Sequence, residues 1–109
     1  MRQLTTYETI SEIRPIPNAD AIEAATVRGW DVVVQKGEFK VGDRVVYMEI
    51  DSALPVDDER FAFLAPRGTK TIDGKKYHVL KTIRLRGQLS QGLMLPAKLF
   101  PELPDIFKY

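Results

Sequence analysis

The sequence predicts an all-β protein, built as a small closed barrel of five or six short strands. Short segments of alternating apolar and polar residues recur along the chain. Seven glycines and seven prolines mark turns between them, and helical periodicity is scarce. The 109 residues suffice for one domain with its own core. Closure into a barrel would also remove exposed sheet edges.

The first half of the chain carries the clearest strand signals. "LTTYETISEIRPI" alternates loosely until its prolines end it, because proline cannot donate to a sheet ladder. "AIEAATV" also has a helical composition, but Arg28–Gly29 followed by "WDVVVQ" favours a tight hairpin of two strands. After the turn-rich "KGEFKVGD", the segment "RVVYMEI" alternates, with Val46, Met48 and Ile50 as its better core face.

The second half is predicted to contain a long irregular loop before the last hairpin. Residues 51–79 show one helical turn at "ERFAFLA" and little other pattern, and loops of that length are usually functional. "KTIRLRGQLSQGLMLP" then indicates two strands joined by "GQLSQG". We therefore expect an OB-fold-like barrel over residues 1–96 and an extended tail or linker over residues 97–109.

Charge is distributed unevenly along the chain, although the net charge is only +1. Residues 1–59 carry 6 basic and 12 acidic side chains, whereas residues 60–86 carry 8 basic side chains and a single acid, Asp73. Residues 87–109 are balanced, with 2 of each sign. Such a local positive segment attracts phosphates whatever the far side of the protein carries. A merely solvated basic loop is the alternative.

The segment "KTIRLRG" suggests how some of these cations are displayed. With a strand period of two, Arg84 and Arg86 share the outer face, while Ile83 and Leu85 face the core. Two neighbouring arginines need something negative opposite them, and their forked guanidinium groups suit a phosphate or a carboxylate equally. The alternatives are therefore a nucleic-acid phosphate and an intramolecular carboxylate.

The sequence predicts a set of nucleic-acid-binding residues around this pair, because four nearby cations exceed what one internal ion pair needs. The candidate intramolecular carboxylates are Glu49 and Asp51. Tyr77, between a lysine and a histidine, is the aromatic residue expected to be exposed for base stacking, whereas Trp30 and Tyr47 are expected in the core. The predicted set is Arg84, Arg86, Lys81, Lys75, Lys76, Arg67 and Tyr77.

Catalytic and metal chemistry are not expected in this chain. There is no cysteine, which fits a cytoplasmic protein, and the lone histidine, His78, is predicted to be an ordinary strand-edge residue. The motif "KTIDG" is one residue too long for a nucleotidyltransferase lysine signature, so Lys70 is not a candidate nucleophile. The adjacent acids Asp57, Asp58 and Glu59 predict a solvated loop rather than a Mg²⁺ site. No apolar run is long enough to cross a membrane.

Three motifs together resemble a known family. "KGEFKVGD", "EIDSALP" and "IRLRGQLSQGL" are similar to the N-terminal OB-fold module of ATP-dependent RNA ligases of bacteria and phages, the Deinococcus type. The resemblance covers roughly residues 10–96. It implies a nucleic-acid-binding accessory domain that helps to engage a nicked RNA-containing duplex for joining 3′-OH and 5′-phosphate ends.

The same resemblance implies where the chemistry of the parent enzyme lies. Its adenylylated lysine belongs to a separate catalytic nucleotidyltransferase domain, which would use ATP and Mg²⁺, so this chain alone is not expected to be an enzyme or to hold a cofactor. The expected partners are RNA or an RNA/DNA duplex and that catalytic domain, with no membrane. Two alternatives stay open: a protein-interaction module that docks on the catalytic domain, and a tRNA-binding-like OB domain, which "PIPNADAIE" resembles more weakly.

Overall fold

The computed structural model describes residues 4–103 and 106–109, and these form short β-strands and two 3₁₀-helices. The helices span Glu59–Arg67 and Ala97–Leu99. In chain order, the strands span Thr5–Thr9 (β1), Glu12–Pro15 (β2), Ile22–Val27 (β3), Trp30–Gln35 (β4), Arg44–Met48 (β5), Ser52–Pro55 (β6), Lys70–Ile72 (β7), Lys75–Val79 (β8), Ile83–Leu85 (β9), Gln88–Ser90 (β10), Leu93–Pro96 (β11) and Phe107–Lys108 (β12). No helix of the described residues is both long and apolar enough to span a bilayer.

The strands pair antiparallel in four sheets. Their orders are β1-β5-β11, β2-β3-β4, β12-β6-β8-β7 and β9-β10. The mostly β architecture is therefore confirmed. None of these sheets closes on itself within residues 4–103 and 106–109, so the closed barrel stays a prediction.

Strand β5 lies between two hydrophobic clusters and is buried on both faces. Val46 and Met48 belong to the cluster that also holds Leu54, and they are fully buried as predicted. Val45 and Tyr47, on the opposite face of the strand, are equally inaccessible in the other cluster. The sequence predicted one core face for β5, whereas the structure has two. A strand covered on both sides needs apolar residues at successive positions.

Three hairpins have the same two-residue turn. The turns are Arg28–Gly29, Asp73–Gly74 and Arg86–Gly87, and in each the first residue has φ of 51° and the glycine 80° or 81°. Positive φ at both central residues identifies type I′ turns, whose twist matches that of paired strands. The first hairpin is confirmed. The third corrects the prediction that "GQLSQG" joins the strands: the turn comes earlier, and residues 88–90 form β10.

The predicted long loop over residues 51–79 is wrong. It contains β6, the first 3₁₀-helix, β7 and β8, and these three strands belong to one sheet. Phe61 and Leu64 of the helix are buried in the second cluster, which fixes the segment to the core. The strands are only three to five residues long, and alternation over so few positions is indistinguishable from loop sequence.

Asp58 caps the first 3₁₀-helix. Its carboxylate accepts the backbone N–H of Arg60 at 3.0 Å and the guanidinium Nη2 of the same residue at 2.6 Å. The side-chain hydrogen bond from Arg60 is the main reason that the pKa of Asp58 lies below its ordinary value. Asp57 and Glu59 are exposed, as predicted for a solvated acidic segment.

We expect Asp58→Ala to lower the free energy of unfolding at neutral pH by about 1 kcal/mol, the usual effect of losing a cap. The folded-state pKa is depressed, so the contribution of Asp58 is complete above the unfolded pKa of about 3.9. It disappears as pH falls through the folded pKa. Urea unfolding near pH 7 and near pH 3 measures both values, with Asp57→Ala as the control. A loss that does not depend on pH contradicts the capping role.

Candidate nucleic-acid interface

The outer face of the four-stranded sheet brings together residues from distant parts of the chain. Lys70 of β7 lies opposite Tyr77 of β8, and Tyr77 lies opposite Pro55 of β6. Phe107 of β12 lies opposite Ala53, which itself faces Val79. Directly opposed residues, and residues two apart along a strand, share a face. Cations and aromatic rings therefore meet on this side of the sheet.

Three aromatic side chains on this side, Tyr77, Phe107 and Tyr109, form what we call the aromatic face. Tyr77 contacts Phe107 edge to face, with ring centroids 5.0 Å apart. The Nζ atoms of Lys70 and Lys81 lie 4.9 Å and 5.6 Å from the centroid of the Tyr109 ring. Exposure is 41% for Phe107 and 54% for Tyr109. Two of these rings are thus available to a ligand, with cations beside them.

Lys81 connects the aromatic face to Asp51. Its Nζ donates to the Asp51 carboxylate at 2.7 Å. This hydrogen bond is the largest cause that lowers the pKa of Asp51, and the charge of Lys108 acts in the same direction. One of the two carboxylates proposed as partners for Arg84 and Arg86 therefore pairs with a lysine instead.

The predicted arginine pair is not a pair on one strand face. Arg84 lies on β9, but Arg86 occupies the type I′ turn, with φ of 51°. Both are exposed, and the Nη1 atom of Arg84 donates to the carbonyl of Gly87 at 3.0 Å. Within the part of the chain that the structure describes, neither arginine forms an ion pair. Both guanidinium groups keep donors for an external anion.

The predicted core position of Leu85 is also wrong. Leu85 and Leu89, on the two strands of the β9–β10 hairpin, are 38% and 40% exposed, while Ile83 at its base is half-buried. The turn begins directly after Leu85, so each strand has only three residues, and among the described residues the two strands pair only with each other. The hairpin thus presents arginine and leucine side chains together.

Arg67, His78 and Lys81 line a pocket of about 250 Å³ between the end of the first 3₁₀-helix and β8. The prediction of a strand-edge histidine is wrong: His78 is 5% exposed on a strand that lies between β6 and β7. Its Nδ1 atom has no hydrogen-bond partner among the described residues. Arg67 and Lys81 are both exposed, but the Nζ atom of Lys81 is paired with Asp51, so within the described ranges Arg67 is the cation of this pair that the pocket leaves without an acidic partner.

Lys75 and Lys76 begin β8 and are both exposed. Side chains alternate along a strand, so Lys75 is on the side of Tyr77, whereas Lys76 is on the side of His78. The seven predicted residues therefore occupy two regions, the β8 sheet with its pocket and the β9–β10 hairpin.

Among the other aromatic candidates, Tyr47 is buried and Trp30 packs half-buried against the core, as expected.

Sequence reasoning missed Lys70, Phe107 and Tyr109. The sequence raises Lys70 only as a possible nucleophile, which the spacing of its motif excludes, and it places the C-terminal "FKY" in the predicted tail. The usable signal was composition: aromatic residues flank a lysine there, as expected of a surface that stacks bases and binds phosphates. Among the described residues, no three His, Cys, Asp or Glu side chains are placed to hold a metal ion.

Comparison with known proteins identifies the family. A model of an OB-fold domain matches residues 4–97. The chain belongs to this OB-fold family. The matched residues include β1 to β11, and therefore the pocket beside β8 and the β9–β10 hairpin. Strand β12 lies beyond the match. A comparison with curated proteins gives no match.

Solved structures of Naegleria gruberi RNA ligase are similar to this OB-fold chain. A mutant with AMP and Mn is 44% identical, with a TM-score of 0.88 over 99% of the chain. The ligase with PPi is also 44% identical, with a TM-score of 0.87 over 100% of the chain, and an apo mutant is 42% identical, with a TM-score of 0.89. The chain spans only 35% or 36% of the length of these ligases.

Proposed function

We propose that this OB-fold chain is the nucleic-acid-binding module of an RNA ligase of the Deinococcus type. The observation that carries the proposal is 44% identity to an RNA ligase over 99% of the chain, combined with coverage of only 35% of that ligase. A chain of this kind corresponds to an accessory domain of a larger enzyme. In that enzyme, it helps to hold a nicked RNA-containing duplex whose 3′-OH and 5′-phosphate ends are joined.

The residues of this chain suit phosphate binding, and the chemical step belongs to another domain of the parent enzyme. The module supplies exposed cations, among them Lys75, Lys76, Arg84 and Arg86, that bind backbone phosphates without reading sequence. The parent enzyme supplies a catalytic nucleotidyltransferase domain with its adenylylated lysine, ATP and Mg²⁺. Phosphate contacts release condensed counterions, so the affinity should fall steeply with salt concentration.

We expect Lys75→Ala/Lys76→Ala to weaken binding of a nicked RNA duplex and to make it less salt-dependent. Losing two phosphate contacts should reduce the slope of log K against log [salt] by about 2. Fluorescence anisotropy of a labelled duplex at several salt concentrations measures this slope. Lys36→Ala/Lys40→Ala removes two exposed lysines from the acidic half and is the matched control.

The proposed function fails if the chain binds no RNA at low salt. It also fails if both double variants lose the same affinity, because net charge alone would then explain the effect. The Arg84→Ala/Arg86→Ala variant of the parent ligase adds a functional readout, and unchanged sealing of nicked RNA would exclude the hairpin from the substrate site.

One observation favours a second function for the hairpin, docking on the catalytic domain. Leu85 and Leu89 are exposed beside Arg84 and Arg86, and an apolar pair with flanking cations suits a protein surface with carboxylates at its rim. Leu85→Ala/Leu89→Ala would then weaken association with a separately added catalytic domain and leave RNA affinity unchanged. Loss of RNA affinity alone would exclude docking.

A further inference from the structure

We infer that the aromatic face binds unpaired nucleotides of an RNA strand, with bases stacked on Phe107 and Tyr109 and phosphates held by Lys70 and Lys81. The inference rests on the proposed function and adds to it a second kind of contact. Under it, the module holds single-stranded substrate at a place distinct from the β9–β10 hairpin.

The rings of the aromatic face are fixed on ordered backbone although they are exposed. Phe107 lies opposite Ala53 in the β12–β6 pair, and the N–H of Tyr109 donates to the Asp51 carbonyl at 2.7 Å. The Tyr77 ring packs against the Phe107 ring edge to face, with the two centroids 5.0 Å apart, and this contact helps to fix Phe107. Rings held in this way lose little conformational freedom when a base stacks on them, which favours binding.

Charge on the face is complementary to a nucleic-acid backbone. Lys70 and Lys81 both lie over the Tyr109 ring, and Lys75 shares the side of Tyr77. The carboxylate of Asp51 is already paired with Lys81, so its repulsion of a phosphate is reduced. Both lysines are on flexible side chains, and they can leave the ring for a phosphate when a base takes their place.

Stacking requires bases whose faces are free. In a duplex these faces are covered by the neighbouring base pairs, so an aromatic sheet face selects unpaired nucleotides. It is also tolerant of sequence, since every base presents a π-face. Acidic peptides offer carboxylates to the lysines but no flat rings to Phe107 and Tyr109, so nucleotides fit the whole face better.

The test compares an RNA strand with an abasic oligonucleotide of the same length, which keeps the phosphates and lacks the bases. Fluorescence anisotropy with labelled strands should show much tighter binding of the intact RNA. Tyr109→Ala and Phe107→Ala should each weaken binding of intact RNA roughly 5- to 100-fold and leave abasic binding nearly unchanged.

Three further variants separate stacking from folding. Tyr109→Phe and Phe107→Tyr keep an aromatic ring and should retain affinity for intact RNA. Phe63→Ala removes a ring that is 52% exposed on the first 3₁₀-helix, outside the aromatic face, and should have no effect. Thermal melts of all variants show whether each one remains folded.

The outcomes distinguish this inference from the function on which it rests. Equal binding of intact and abasic strands overturns the aromatic face as a base-binding site while nicked-duplex binding still supports the proposed function. Weaker association with an added catalytic domain in Tyr109→Ala, with unchanged RNA affinity, also overturns it and assigns the face to domain docking. Absence of all RNA binding at low salt overturns both.

Discussion

The Gly92→Ala variant is expected to lose about 2–4 kcal/mol of unfolding free energy, from backbone strain and overpacking together. Gly92 has φ of 104°, and a Cβ atom there would lie 2.6 Å from the Met48 carbonyl oxygen and 2.6 Å from the Tyr47 hydroxyl. Neither neighbour can withdraw. Met48 contributes backbone of the central strand β5, and the buried Tyr47 donates its hydroxyl to the Gln91 carbonyl at 2.6 Å.

A matched control separates the two contributions. Gly37 also has positive φ, 82°, but a Cβ atom there would meet nothing within 4 Å. Gly37→Ala should therefore lose only about 1 kcal/mol from backbone strain. Urea unfolding measures both variants, and the melting temperature of Gly92→Ala should fall by about 10–20 °C. Equal losses in the two variants would contradict the close packing of Gly92 against Tyr47.

The role of Gly92 shows what the sequence lacks. Gly87 and Gly92 looked alike from the sequence, as the two turn residues of one hairpin. Only Gly87 lies in a turn; Gly92 is required because Tyr47, distant in sequence, fills the space beside it. A turn is encoded by neighbouring residues, whereas a close tertiary approach depends on residues that the local pattern does not contain.

Local signals predicted the hairpin at Arg28–Gly29 and could have predicted the turn at Arg86–Gly87. Arg28–Gly29 and Arg86–Gly87 are the same dipeptide in the same turn conformation. The first is predicted because the strand-like segment "WDVVVQ" follows it directly. At Arg86–Gly87, apparent alternation through "IRLRG" predicts a strand that continues across the turn, with Arg86 on a strand face. A dipeptide signal is stronger evidence than alternation over three residues.

The sequence predicts the part of the candidate site that depends on charge, but not the part that depends on the pairing of distant strands. Counting charges located the basic region that contains Lys75 and Lys81. The aromatic face also needs Phe107 and Tyr109, which reach it only because β12 pairs with β6, some fifty residues earlier. Antiparallel pairing over that separation leaves no periodic trace in the sequence. A cationic segment therefore indicates a binding surface, whereas the aromatic residues of that surface become evident only from the three-dimensional structure.

We expect Phe61→Ala to lower the free energy of unfolding by about 3–5 kcal/mol, as is usual for a buried phenylalanine. Phe61 is fully buried in the second cluster, where its ring lies 6.2 Å from that of Phe100. The adjacent Arg60 binds the same region, with its guanidinium 4.2 Å from the Phe100 centroid. Removing the ring leaves a cavity under the first 3₁₀-helix that the surrounding side chains only partly fill.

Phe63→Ala supplies the contrast from the same helix, since Phe63 is 52% exposed and its loss should change stability by no more than about 0.5 kcal/mol. Phe61→Ala should also affect the candidate site. The helix ends at Arg67, beside His78, so weaker anchoring at Phe61 should increase hydrogen exchange in residues 59–67 before global unfolding. Similar losses in both variants would mean that the helix is not anchored through Phe61. The position of Arg67 at the pocket would then depend on β8 alone.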